Sequence, residues 1–419
     1  MLTLRPLFRH RLTRLLHSHS SDLPIVSLHE HKVAIGWNTQ TLSKFHNIWL
    51  RDHCRCPSCF HPITKQRLLN TFSIPPDIKP VSARPVQDGL EVVWDGHTSL
   101  YPWSWLQTMS YDPKFPQMQQ KSEKTLWGAK IHQRPPMVHY DQVMSDGGLY
   151  KWLTNIDQFG FCFVSGVPAT TEATEELSKR IGFIRETQYG KFWDFTSDLA
   201  KGDTAYTTLA LGAHTDNTYF TDPCGLQLFH LLSHTEGSGG ATLLVDGFSV
   251  AAKLKQQHPD AYDVLSRLPV PAHAAGEASS FYRPSPGCGY PVLQHDANSG
   301  DLSTVRWNND DRSVMSPSDP AIVDQWYNAI RLWNQFLTSA DAEYWVQLTP
   351  GTAVVVDNHR VLHGRSAFTG RRRMCGAYIG VDEYRSKLAV LTDKFDRGAN
   401  SETSSADVVV ERSVWHPAL

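Results

Sequence analysis

No apolar run in the sequence reaches the ~18 residues that a membrane-crossing helix needs, so a helical membrane protein is excluded. Charge of one sign is also missing. Lys and Arg number 40 against 42 Asp and Glu, a net charge of −2, which gives nucleic acid or an anionic membrane no purchase as a partner. There is no phosphate-binding Walker loop and no G-x-G-x-x-G fingerprint, so the usual nucleotide-binding motifs are absent. No internal repeat or low-complexity tract stands out. Cysteine is scarce and odd in number, seven in all with three between Cys54 and Cys59. That count argues against a disulfide framework and fits a reducing compartment. What remains is an ordinary globular composition over 419 residues, long enough for two domains and one large core.

Residues 1–21 differ from the rest. Arg5, Arg9, Arg11 and Arg14 alternate with leucines, and no acid appears before Asp22. This is the composition of a mitochondrial transit peptide, which places the remainder in the matrix, with a disordered basic tail as the lesser alternative. From 28 to 110, short strands such as VAIGW and LEVVWD, the latter closed by an Asp95-Gly96 turn, predict a small N-terminal β domain. Residues 111–136 are polar and rich in Pro, Lys and Gln, and read as a linker. The stretch 137–386 predicts many short strands with a few flanking helices, a mainly β jelly-roll domain. Its strands include FGFCFVSGV, CGLQLFHLL, GGATLLVD, VRWNN, YWVQL, AVVVDN and CGAYIG. Thr170 caps one helix, Pro259 splits another pair, and Ile322, Trp326, Ile330 and Trp333 share one face of a third. Residues 387–419 read as a C-terminal extension, with GANSETSSAD as a polar linker.

Two stretches carry chemistry. LGAHTDNTYF supplies His214 and Asp216, and DNHRVLHGR supplies His363. Two imidazoles and one carboxylate suit non-haem Fe(II) and leave three adjacent positions open. A lone His-x-Asp is weak evidence among 20 histidines, but here it fits a strand end whose two-residue period would aim both side chains to one side. Arg372, entering the strand after His363, can hold the distal carboxylate of a 2-oxoacid through a bidentate pair. Cys54, Cys56 and Cys59 form C-x-C-x-x-C, which suits tetrahedral Zn(II). His97, just beyond the Asp95-Gly96 turn, is the expected fourth ligand, with His53 and His61 as rivals by proximity.

HTDNTYF, GGATLLVDGF, RWNN, LTPGTAVVVDNHRVLHGR and GAY recur in the order that characterises a known family. The chain resembles the gamma-butyrobetaine dioxygenase and trimethyllysine dioxygenase family from about Leu28 to about Arg385. HTDNTYF and GDTAYTTLAL are closer to its trimethyllysine branch. The resemblance implies the double-stranded β-helix form of the jelly roll with iron at its mouth, 2-oxoglutarate as co-substrate and ascorbate as reductant. It implies hydroxylation of free N6-trimethyllysine at C3, the first step of carnitine biosynthesis, with succinate and CO2 as co-products. Gamma-butyrobetaine hydroxylation is the alternative, and demethylation of protein trimethyllysine or a binding module with a dead metal site are more remote. The partners implied are O2 and a small molecule with a trimethylammonium group; a homodimer is left open.

By the same resemblance a histidine belongs at the His97 position, and Thr242 joins Arg372 at 2-oxoglutarate. Tyr189, Trp193 and Tyr206 match the family's cage for the quaternary ammonium, whose charge is attracted to ring faces. Read from the residues alone, such aromatics are more often core than cage. Asp203, beside Tyr206, would suit the α-amine that trimethyllysine has and gamma-butyrobetaine lacks, and Asn308 and Asn309 would add polar contacts.

Overall fold

The strand Thr352–Asp357 sits at the centre of the molecule's larger part because its residues are apolar on both faces. Ala353 and Val355 pack into one core cluster, Val354 and Val356 into another, and all four are fully buried. A strand that alternates nothing is covered on both sides. The computed structural model describes residues 23–115, 124–196, 207–274, 284, 287–317, 319–395 and 415. The reading of residues 1–21 as a transit peptide falls outside these, as does GANSETSSAD. The described residues form two compact units that divide near residue 120, with Trp415 belonging to the first.

The first unit has two antiparallel three-stranded sheets, Ile25–Leu28, Lys32–Gly36 and Leu42–His46, then Ser82–Val86, Gly89–Trp94 and His97–Pro102. Val33, Ile35, Phe45, Leu90, Val92 and Trp94 meet in its core. Trp415 lies against Trp105 with ring centroids 4.9 Å apart.

The second unit is a two-sheet jelly roll. One sheet runs Met137–His139, Phe161–Ser165, Thr352–Asp357, Leu226–Thr235, Arg371–Ile379, Phe192–Thr196. The other runs Leu211–His214, Val361–Arg365, Thr242–Asp246, Tyr344–Val346. All pairings are antiparallel except the first. Phe161, Phe163, Val354 and Met374 from one sheet meet Leu244, Val361 and Tyr344 from the other in a shared core. The opposite face of the six-stranded sheet is covered by the helices Asp146–Phe159, Thr171–Ile181 and Val381–Phe395. Leu243, Val245 and Leu362 point the other way, to Gly247–Gln257, Pro259–Arg267 and Pro320–Leu337.

Three expectations need correction. Residues 124–136 are no linker, since Trp127 is 6 % exposed in the shared core and its Nε1 donates to the Phe159 carbonyl at 2.6 Å. The helix Val381–Phe395 runs through residue 387 without a break, so the extension does not begin there. RWNN is not strand. Leu302–Val305 pairs with Leu293–His295, and the ladder ends because both backbone groups of Trp307 are taken by Thr215.

One buried ion pair ties these layers together. Arg360 donates from Nε and Nη2 to the two oxygens of Asp246 at 3.0 and 2.8 Å. Its Nη1 and Nη2 also donate to the carbonyls of Gln158 and Thr125, and Asp246 caps the helix Gly247–Gln257 through the Phe248 N–H. The side chains are 1 % and 0 % exposed. Arg360→Met should therefore destabilise the protein by about 3–5 kcal/mol, because Asp246 would be left buried and uncompensated. Equilibrium unfolding in denaturant measures this; a loss below about 1 kcal/mol, the scale of a surface pair, would show the network to be dispensable.

Candidate active site

The two histidines are brought together by strand register. Leu211–His214 pairs antiparallel with Val361–Arg365 so that His214 stands directly opposite His363, after an irregularity between Leu211 and His214. Their rings lie 4.4 Å apart. Asp216 arrives differently from the sequence expectation. The strand ends at His214, and Asp216 follows it in a turn where Asn217 takes φ 59°. Asn358 fixes this turn, accepting from the Asp216 N–H at 2.7 Å and donating to its carbonyl at 2.9 Å.

The carboxylate is oriented atom by atom. Oδ2 of Asp216 accepts from Gln227 Nε2 at 2.6 Å and from the Tyr378 hydroxyl at 2.7 Å. Oδ1 is left to face Nε2 of His214 at 3.3 Å and Nε2 of His363 at 3.7 Å. The three donor atoms lie within 4.8 Å of one another, an arrangement that could hold a metal ion. Burial and the positive charge of His214 push His363 down to about 3. Burial also disfavours the charge on His214, but the hydrogen bond and charge of Asp216 outweigh it and raise the imidazole to about 8. Burial works against Asp216 too, yet His214 and His363 hold it well below the usual carboxylate range. The trio offers two imidazoles and one carboxylate, a donor set of the kind that non-haem iron takes.

These side chains open onto a cavity that also contains Arg372 and Thr242. Arg372 is 5 % exposed, pairs with no carboxylate among the described residues, and its Nε has no partner there. Burial, then the neighbouring Arg365, lowers it to about 10. A buried cation without a counter-ion is costly, so this position calls for an anionic ligand. Thr242 sits opposite Arg365 in the sheet register. Arg365 itself donates to the carbonyls of Thr207 and Leu209.

Tyr189 and Trp193 form part of the cavity wall. Trp193 lies over Gly376, where a Cβ would come within 2.4 Å of its ring, so any larger residue there would displace it. Phe229 continues the aromatic surface, 5.8 Å from Trp193 and 5.0 Å from His363 between centroids. Tyr206 and Asp203 lie outside the described residues. Asn308 reaches the cavity, but its amide is turned to its own loop: Oδ1 accepts from the Asp310 N–H and Nδ2 donates to Asp311. Gln227, Tyr378, Asn358 and Asp311 are functional candidates that the sequence reading passed over. Gln227 alone left a signal there, a polar residue inside the apolar run CGLQLFHLL.

Residues 121–378 match the taurine catabolism dioxygenase TauD, TfdA family, and residues 26–107 match the gamma-butyrobetaine hydroxylase-like N-terminal domain. The chain is 43 % identical over 375 residues to a trimethyllysine dioxygenase of Meyerozyma guilliermondii, covering 86 % of this chain and 93 % of that one. It is 41 % identical over 355 residues to the mitochondrial trimethyllysine dioxygenase of Homo sapiens, covering 84 % and 83 %. A gamma-butyrobetaine dioxygenase of a Pseudomonas species is 32 % identical over 366 residues, covering 86 % and 93 %. The chain belongs to the TauD, TfdA family of dioxygenases. Within this family it is more similar to the two trimethyllysine enzymes than to the butyrobetaine one.

The N-terminal domain of this family member carries its own cluster. His97 Nε2 lies 3.4, 3.7 and 3.6 Å from the sulfurs of Cys54, Cys56 and Cys59. A tetrahedral zinc with ordinary Zn–S and Zn–N bonds separates its S and N ligands by roughly 3.5 Å, so the set fits that ion. Arg51 donates to Cys59 Sγ at 3.3 Å. The rival histidines face elsewhere, His53 bonding the Trp49 carbonyl and His61 the N–H groups of Ile63 and Thr64. Protein purified without chelator should carry about one zinc per chain, and Cys56→Ser should lower thermal stability more than it lowers the affinity for 2-oxoglutarate. Elemental analysis finding no zinc in folded protein contradicts this.

Proposed function

We propose that the protein hydroxylates free N6-trimethyllysine at C3, consuming 2-oxoglutarate and O2 and releasing succinate and CO2, the first step of carnitine biosynthesis. The observation that carries the reading is a single cavity where a His-Asp-His set, a buried arginine with no carboxylate partner among the described residues, and aromatic rings converge. His214, Asp216 and His363 would hold Fe(II), which would supply O2 activation coupled to decarboxylation of the 2-oxoacid. Arg372 pairs with the distal carboxylate of 2-oxoglutarate, and Thr242 offers a hydroxyl beside it. Trp193 and Tyr189, with Tyr206, receive the trimethylammonium head, which has no N–H to satisfy and is held by ring faces at ~0.5–2 kcal/mol each. Gln227 and Tyr378 keep Asp216 from turning its second oxygen inward. Positioning C3 over the open side of the iron site is the remaining task of the cavity.

Relatives from vertebrates are named mitochondrial. With the arginine-rich first 21 residues, this supports import into the matrix. Ascorbate as the reductant that keeps iron ferrous belongs to the same reading. Gamma-butyrobetaine hydroxylation is the second reading, favoured by the more distant relative. Incubation with Fe(II), 2-oxoglutarate and O2, followed by mass spectrometry, decides between them. The expected result is one oxygen gained by trimethyllysine with matching succinate. Preferred oxidation of gamma-butyrobetaine overturns the substrate, and Arg372→Met should raise the KM for 2-oxoglutarate at least tenfold in either case, as loss of a charged bidentate pair requires.

A further inference from the structure

The loop after Arg306 is laid directly on the metal-ligand turn. Thr215, between the two ligands His214 and Asp216, donates its N–H to the Trp307 carbonyl at 2.7 Å, and its Oγ1 accepts from the Trp307 N–H at 3.0 Å. Trp307 is buried, and Arg306 donates to the Phe220 carbonyl at 2.8 Å. From this base Asn308 bends the chain, Oδ1 accepting from the Asp310 N–H at 3.0 Å and Nδ2 donating to Oδ2 of Asp311 at 2.8 Å. The Asp311 carbonyl accepts from the His273 N–H at 3.0 Å. Asp311 is thus held at the wall of the cavity that His214 also lines, its carboxylate by Asn308 and its backbone by His273.

The same cavity has one buried acceptor, on Gln227, that lacks a donor among the described residues. Gln227 is 3 % exposed and spends Nε2 on Asp216, while its Oε1 is buried with no hydrogen-bond partner among the described residues. A buried acceptor without a donor is destabilising until a ligand supplies one. The cationic side of the cavity, Arg365 and Arg372, lies against Phe368, with guanidinium carbons 4.8 and 5.5 Å from its ring centroid.

The chemistry of the proposed substrate determines where its groups fall. In trimethyllysine the α-amine is two bonds from C3, the carbon that reacts, whereas the quaternary nitrogen is four bonds away. The counter-charge for the amine must therefore stand beside the metal-ligand turn, away from the aromatic cage. We propose that Asp311 is the specificity-determining residue that reads the substrate's α-ammonium group, and so rejects betaines that lack it. This rests on trimethyllysine being the substrate. Asn308 then acts as the residue that positions Asp311, and Gln227 Oε1 offers the ammonium a further acceptor.

The test compares trimethyllysine with its desamino analogue, 6-(trimethylammonio)hexanoate, which keeps the chain, carboxylate and head group and lacks only the amine. Holoenzyme is assayed for kcat/KM on both, with KM for 2-oxoglutarate as a check on the rest of the site. Wild type should prefer trimethyllysine by on the order of 10- to 100-fold, the effect of one charged hydrogen bond. Asp311→Asn should reduce that preference to within a few-fold, chiefly through KM for trimethyllysine, with KM for 2-oxoglutarate unchanged. Asp311→Glu should restore part of it. Equal rates of wild type on the two compounds overturn the proposal even if the variant does not fold. Undiminished preference in Asp311→Asn, or its loss in Asp203→Asn alone, also overturns it while leaving the substrate assignment standing. Wild type that consumes 2-oxoglutarate but oxidises neither compound removes the substrate assignment itself.

Discussion

The site depends on one register, the antiparallel pairing of Leu211–His214 with Val361–Arg365 that sets His214 opposite His363. In a strand the side chains alternate faces, so a slip of one residue would turn one imidazole away from the other. The register is protected on the far side of the same strand, where Val361–Arg365 also pairs with Thr242–Asp246 and places Leu244 opposite His363. Leu244 is fully buried in the core shared by the two sheets. The burial that stabilises the sandwich and the alignment that assembles the donors are therefore the same interaction.

The third donor needs separate support because it lies past the strand end. Asn358 holds the backbone of Asp216, and Gln227 and Tyr378 hold its outer oxygen. Asn358 belongs to the turn between Thr352–Asp357 and Val361–Arg365, two residues before Arg360. That turn connects the donor set to the buried Arg360–Asp246 pair, so one short stretch, DNHRVLH, serves both stability and chemistry. Asn358 and the Arg360–Asp246 pair are buried with their polar atoms bonded, and such groups are rigid, as a metal site with open positions requires.

Much of this was legible in the sequence. His214, Asp216, His363 and Arg372 stood out because metal and anion chemistry restricts residue type, and Cys54, Cys56 and Cys59 because three thiols rarely crowd together by chance. The split of helices at Pro259 and the helix from Pro320 followed from proline and from apolar spacing. The rest depended on contacts between distant segments. Nothing local says that Trp307 will be held by Thr215 rather than extend a strand, or that Trp127 will enter the core of the jelly roll. Asp311 sits in a run of polar residues, NNDDR, and only the fold shows that Asn308, Asp310 and Asp311 reach the cavity.

The central claim is that His214, Asp216 and His363 hold one iron on which 2-oxoglutarate also binds. Anaerobic Fe(II) titration, followed by the visible charge-transfer absorption that develops on adding 2-oxoglutarate, tests it without turnover. Wild type should bind one iron per chain, and His363→Ala of unchanged fold should show no absorption. Full absorption at one equivalent in that variant would contradict it.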